Sequence, residues 1–186
     1  MLPTEITQKS SRLKITEKTQ RPLVIIDLPP ILEAFCRHLF NTPDENKEIY
    51  ARRSHTIGRG VIGYLSKSDQ QPVLPAMVNP VTFVVPETKL NWYSLQTKYL
   101  YFSAEDRESF IDRVEIEFAN WVENHFRDGY AMNLDQFSIV ETVLDILNVR
   151  MNATTFEAIK QNDFRKRKSE VRKRGKAMLM QRKLSV

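Results

Sequence analysis

SAEDRESFIDRVEIEFANWVENHFRDG, residues 103–129, decides the fold of this chain. Its apolar side chains Phe110, Ile111, Val114, Phe118, Trp121, Val122 and Phe126 recur every three to four positions, which brings them to one side of an α-helix. Ser103 offers a capping hydroxyl with Asp106 at the third position, and Gly129 offers a C-terminal stop. The pattern predicts a long helix over 103–129 that lays a broad apolar face on the core, with Trp121 central to it. The outer face is acidic: residues 103–128 hold eight carboxylates against Arg107, Arg113 and Arg127, a net of −5. Glu108, Asp112, Glu115 and Glu117 on that face form a candidate docking surface. They have no sequence partner that would shift a pKa, so a solvated face is expected, without catalysis.

Outward from this helix the signals weaken. Residues 23–26 read as a β-branched strand, and Asp27-Leu-Pro-Pro opens a helix to about Phe40 with Ile31, Leu32, Phe35, Leu39 and Phe40 on one face. Thr42-Pro43-Asp44-Glu45 has the form of a capping box and predicts a short second helix. Pro72, Pro75, Pro80 and Pro86 punctuate the middle, where residues 81–85 and 98–102 read as strands of a small sheet or hairpin. Phe137, Val140, Val143, Leu144 and Leu147 predict a helix over about 136–148. Thr154 with Glu157 predicts the cap of a last helix, carrying Phe156, Ile159 and Phe164 and reaching Gly175. The fold class expected is α+β, α-dominated: a helical core with a small antiparallel sheet or hairpin. An extended arm over 1–22, a single core domain over 23–164 and a basic tail over 165–186 complete the plan.

The tail is the most polarised part of the chain. Arg165, Lys166, Arg167, Lys168, Arg172, Lys173, Arg174, Lys176, Arg182 and Lys183 face one acid, Glu170, so residues 165–183 carry +9. The remainder holds 18 basic and 22 acidic groups and is −4, although the whole chain is +5. An acidic body with a cationic tail points to an anionic partner, whether nucleic acid, a membrane surface or the acidic face of a neighbouring protein. The candidate contact residues are Arg165, Lys166, Arg167, Lys168, Arg172, Lys173, Arg174 and Lys176.

Other motifs give less. Gly58-Arg59-Gly60-Val61-Ile62-Gly63 matches the G-x-G-x-x-G string, but Arg52, Arg53, Ser54 and His55 precede it where a buried strand is needed, and no acid stands between Asp69 and Glu87. The glycines are read as permitting a tight path or close packing, with Arg52, Arg53 and Arg59 able to touch phosphate. Cys36 has no second cysteine to pair with and reads as a buried thiol; His38, His55 and His125 are too scattered for a metal set. No cofactor, metal, small-molecule substrate or membrane partner is expected, and no G-x-S-x-G, H-E-x-x-H or P-loop string occurs. The first residues, Met-Leu-Pro-Thr-Glu, lack a charged-then-apolar leader, so synthesis and assembly in a reducing cytoplasm are expected. The helices over 136–148 and 155–174 admit a helix-turn-helix, with Thr155, Lys160, Gln161 and Asn162 available for base contacts; an αα-hairpin on the long helix is the commoner alternative.

In its general plan, with a small helical core, a minor sheet, no active site and long arms, the chain resembles connector and neck-ring proteins of tailed bacteriophage virions, those of the crAss-like group among them. The resemblance implies a structural virion subunit, in a homo-oligomeric ring or against virion neighbours, assembled in the host cytoplasm. It carries no motif and assigns no residue. The alternative from the residues themselves is a nucleic-acid-binding protein that uses the basic tail.

Overall fold

The structure, a computed structural model, describes residues 22–164. Its elements in chain order are β1 (Leu23–Asp27), α1 (Pro30–Leu39), β2 (Ile49–Tyr50), α2 (Thr56–Gly63), β3 (Ser66–Ser68), β4 (Pro80–Val84), α3 (Trp92–Thr97), β5 (Tyr99–Tyr101), α4 (Ala104–Ala131), α5 (Gln136–Ile146) and α6 (Ala153–Lys160). The class is α-dominated α+β. Both predicted arms lie outside the described residues apart from Pro22, the last residue of the first.

α4 is the hub, packed against α1, α2 and α5. Its buried side chains are Phe110, Val114, Phe118, Val122 and Phe126, so the apolar period read from the sequence is the buried face. Trp121 departs from that reading: it is only partly buried, its ring between Phe35, 5.5 Å away, and His125, 4.2 Å away. The sheet has the order β1-β4-β2 and meets the start of α4 through Phe83. Alternation decides its faces: Val24, Ile26, Val81 and Phe83 are buried, whereas Ile25 on the other face is 40% exposed. Phe83 meets Phe110 edge-on at 5.9 Å. β1 and β4 are antiparallel as expected, but β2 joins β4 in parallel, Ile49 opposite Phe83. The predicted strand over 98–102 is β5, which pairs with β3 as a separate ribbon.

The predicted helix at Thr42 does not form. Asp44 Oδ1 accepts from the Asn46 amide at 3.0 Å, the local bond by which an aspartate turns the chain. The Arg37 guanidinium then takes the carbonyls of Asp44, Glu45 and Lys47 at 2.8 to 3.0 Å. Those acceptors are held by a side chain from α1, and the chain proceeds into β2.

Gly129 is inside α4 and does not end it. A Cβ there would stand 2.5 Å from Ile139 Cγ1, so the glycine lets α5 approach closely. Asparagines make the stops: Asn41, Asn133 and Asn148 have φ of 53°, 59° and 54°, just past α1, α4 and α5. In each case the following amide reaches back to a carbonyl five residues earlier, Thr42 to Arg37, Leu134 to Gly129 and Val149 to Leu144. Asparagine tolerates this left-handed position better than other side chains. α6 is capped by Asn152, whose side chain and that of Thr155 bond reciprocally to each other's amides, so Thr154 is not the cap. α6 ends at Lys160; its predicted extension to Gly175 passes beyond the described residues at Phe164.

Candidate docking surface

The tail cations Arg165, Lys166, Arg167, Lys168, Arg172, Lys173, Arg174 and Lys176 all lie outside the described residues. The acidic surface they were expected to meet lies within the described residues, and it divides. Glu108, Asp112 and Glu115 stand exposed on the outward side of α4. Glu117 turns the other way, pairs with Arg113 at 3.7 Å, and borders a different hollow beside Trp121 and His55. Nine residues separate Glu108 from Glu117, about two and a half turns, which puts them on opposite sides of the helix axis. The four acids are therefore not one face.

Asp112 and Glu115 border a groove of about 520 Å³. α4 supplies one wall with these acids, Ile116 and Ala119; the start of α1 supplies Pro29, Ile31 and Leu32; the end of α6 supplies Ala158, Gln161 and Asn162. Ile116 is 56% exposed. It sits among acids on the polar side of the helix, outside the apolar period, which is why the sequence pattern passed over it. An open groove with apolar floor and carboxylate rim suits a segment that mixes apolar and cationic side chains.

The base of the tail is anchored next to this groove. Asp163, 1% exposed, accepts from the Tyr130 hydroxyl at 2.6 Å and from Gln136 Nε2 at 2.8 Å, joining the end of α6 to α4 and α5. Phe164 lies edge-on to Tyr130 at 6.1 Å and beneath the Arg127 guanidinium. Nothing in the local sequence, an aspartate amid polar residues, distinguishes Asp163 as a core residue.

The α5–α6 pair packs as an αα-hairpin. Phe137 stacks on Phe156 at 5.8 Å and Ile159 is fully buried. Of the residues considered for base contacts, Thr155 closes its own cap, Lys160 pairs with Glu157 at 2.6 Å, and Asn162 donates to the Ala158 carbonyl at 3.0 Å; Gln161 is exposed. The G-x-G-x-x-G string lies entirely within α2. From Arg59 onward its amides are spent on helix bonds, and the string lies within the helix, not in a loop before it that would aim amides at a pyrophosphate. Gly58 abuts the Arg52 carbonyl and Gly60 the Phe110 ring, which is the close packing expected of them, while Gly63 borders open space. Arg52, Arg53 and Arg59 are exposed around that helix.

Burial pushes the Cys36 thiol up to about 12. His38 is held below the ordinary histidine value by its burial and then by the neighbouring His125. Glu33 and Arg37 border another groove, of about 470 Å³, but they are committed to structure: Arg37 Nε bonds Glu33 at 2.7 Å and Asn79 Nδ2 bonds the other Glu33 oxygen at 2.7 Å. Among the described residues no cluster of histidine, cysteine and carboxylate fit for a metal is found, and no helix is long and apolar enough to cross a membrane. A further surface escaped the sequence reading. Leu90 is 99% exposed beside Trp92 and Tyr93, and Val73 and Val78 project from the proline-rich segment before β4. Comparison of the chain with protein-family models, with curated proteins and with solved structures returns no match.

Proposed function

We propose that this protein is a non-enzymatic structural subunit of a multi-protein assembly, of the connector or neck-ring kind in a tailed-phage virion, docking through its terminal arms. One observation carries the reading: an open groove rimmed by Asp112 and Glu115, with the half-exposed Ile116 between them, on a chain whose last segment carries +9. Opposite charge steers and registers such contacts, and a patch on one copy that receives a different patch of the next propagates into a ring when the rotation closes. The virion setting rests on the resemblance of plan alone.

The alternative, a nucleic-acid-binding protein, draws on the same tail and on the exposed Arg52, Arg53 and Arg59. The engagement of Lys160 and Asn162 by Glu157 and the Ala158 carbonyl of α6 favours contact through phosphates over base readout.

Light scattering on the full-length chain and on a chain ending at Phe164, in low and high salt, with and without duplex DNA, tests the reading. The full-length protein is expected to form larger species that dissociate in high salt, and the truncated chain to remain small while keeping its thermal transition within a few degrees. Assembly by the truncated chain overturns the role of the tail. Large species that need DNA favour the alternative, whose affinity should fall steeply with salt.

A further inference from the structure

We infer that the groove between the start of α1, the middle of α4 and the end of α6 seats residues 176–183 of a second copy of this chain. The inference rests on the assembly reading and names its contact. Groove and segment match in chemistry. The groove presents Leu32, Phe118 and Ala158 with Ile116 at its mouth, and the charged residues along it are the two acids Asp112 and Glu115. Residues 176–183 read Lys-Ala-Met-Leu-Met-Gln-Arg-Lys, four consecutive apolar residues held between one cation and two. Methionine adapts to irregular apolar walls, and flanking cations reach the carboxylates on the rim. The earlier run Arg165-Lys166-Arg167-Lys168 has the charge but no apolar side chain to place on the floor.

The assembly reading selects a second copy. Asn162 lines the groove, but two residues later Phe164 sits against Arg127 and Tyr130, toward the C-terminal end of α4. Tyr130 is 14 residues beyond Ile116 on that helix, about 21 Å along its axis. The described chain ends there, beside the C-terminal half of α4, and in a head-to-tail arrangement a neighbour's groove receives the segment beyond it.

Thiol trapping with full-length chains tests this. One variant carries Ile116→Cys and the other Leu179→Cys; the native Cys36 is fully buried and does not compete. Mixing the two under mild oxidation is expected to give a mixed disulfide dimer that neither variant forms alone. Adding Asp112→Lys and Glu115→Lys to the groove-bearing chain should reduce its yield at least tenfold. Salt-dependent, tail-dependent association without the mixed disulfide overturns the groove assignment and leaves the assembly reading standing. Absence of association altogether overturns both. A chain carrying both cysteines that closes on itself in dilute solution, while the separate variants fail to cross-link, overturns the second copy. As a measurement free of cysteine chemistry, Ile116→Asp should weaken association of the full-length chain by about tenfold or more, and unchanged association counts against the seat.

Discussion

The Tyr130 hydroxyl donates a 2.6 Å hydrogen bond to Oδ2 of Asp163, across 33 residues, in a site where the acid is 1% exposed. Gln136 donates to the same oxygen at 2.8 Å. A buried carboxylate is tolerated only where donors converge on it. Here they come from α4 and from the first turn of α5, so the chain just after α6 is fixed to the core at the point where the basic tail departs. A tail that docks on a neighbour gains from such a fixed root, because a defined starting point raises the effective concentration of its far end at the receiving surface.

Asp163→Ala should therefore destabilise the protein by about 1–3 kcal/mol, since it removes a buried acceptor shared by two partly buried donors, and Tyr130→Phe by about 1 kcal/mol. Urea unfolding of both variants measures this. Losses below a few tenths of a kcal/mol in both would show that the bond does not hold the root in place.

Phe110→Ala should cost about 3–5 kcal/mol, because that ring is fully buried against Phe102, Phe83 and Tyr64 and its loss leaves a cavity where sheet and helix meet. Trp121→Ala should cost less, since the indole lies at the edge of the core among Phe35, His38 and His125. Denaturation of the two variants side by side decides the order; the reverse order would relocate the centre of the core.

What the sequence revealed follows the reach of each interaction. The apolar period of α4 is a sum over many turns, and it survived except at its edge, where Ile111 and Trp121 are only partly buried. The boundaries of short elements depend on single distant partners, and there the reading failed: the turn at Asp44 is set by Arg37 from α1, and Gly129 serves the approach of Ile139, not a helix end. β2 and β3, with two and three residues, exist only through β4 and β5 and have no pattern of their own. Of the candidate docking face, the acids were visible and helical spacing already sets Glu117 apart, but the groove that Asp112 and Glu115 border depends on how α1 and α6 flank the helix. Ile116 is legible only afterwards, as an apolar residue set in an acidic stripe.

The two ends of α2 should respond oppositely to alanine. At Gly58 a Cβ would overlap the backbone carbonyl of Arg52, which cannot move aside like a side chain, so Gly58→Ala should cost about 2 kcal/mol or more. At Gly63 a Cβ meets nothing within 4 Å, and no glycine among the described residues has positive φ. Gly63→Ala should then be neutral or stabilise by up to about 1 kcal/mol through the lower entropy of the unfolded chain. Thermal unfolding of the pair checks this, and a destabilising Gly63→Ala would mean that α2 is held differently.

Stability should also fall in mild acid in a window set by His38. Its pKa in the folded state lies below 6.5, first because the ring is partly buried against Trp121 and then because of the charge on His125. The unfolded chain consequently binds the proton more readily than the folded one. The contribution is fully present above the ordinary histidine value and is lost as pH falls through it toward the folded pKa. Asp44 and Asp135 act in a lower window: the Asn46 and Ser138 amides hold their carboxyls below the usual range, so what they contribute is present above 3.8 and disappears as pH falls through the folded values. An NMR titration should place the His38 midpoint below 6.5, and His125→Asn should raise it, since one positive neighbour is removed. A midpoint at or above 6.5 in the native protein, or one indifferent to His125→Asn, would break the link between the histidine pair at Trp121 and the acid sensitivity of the fold.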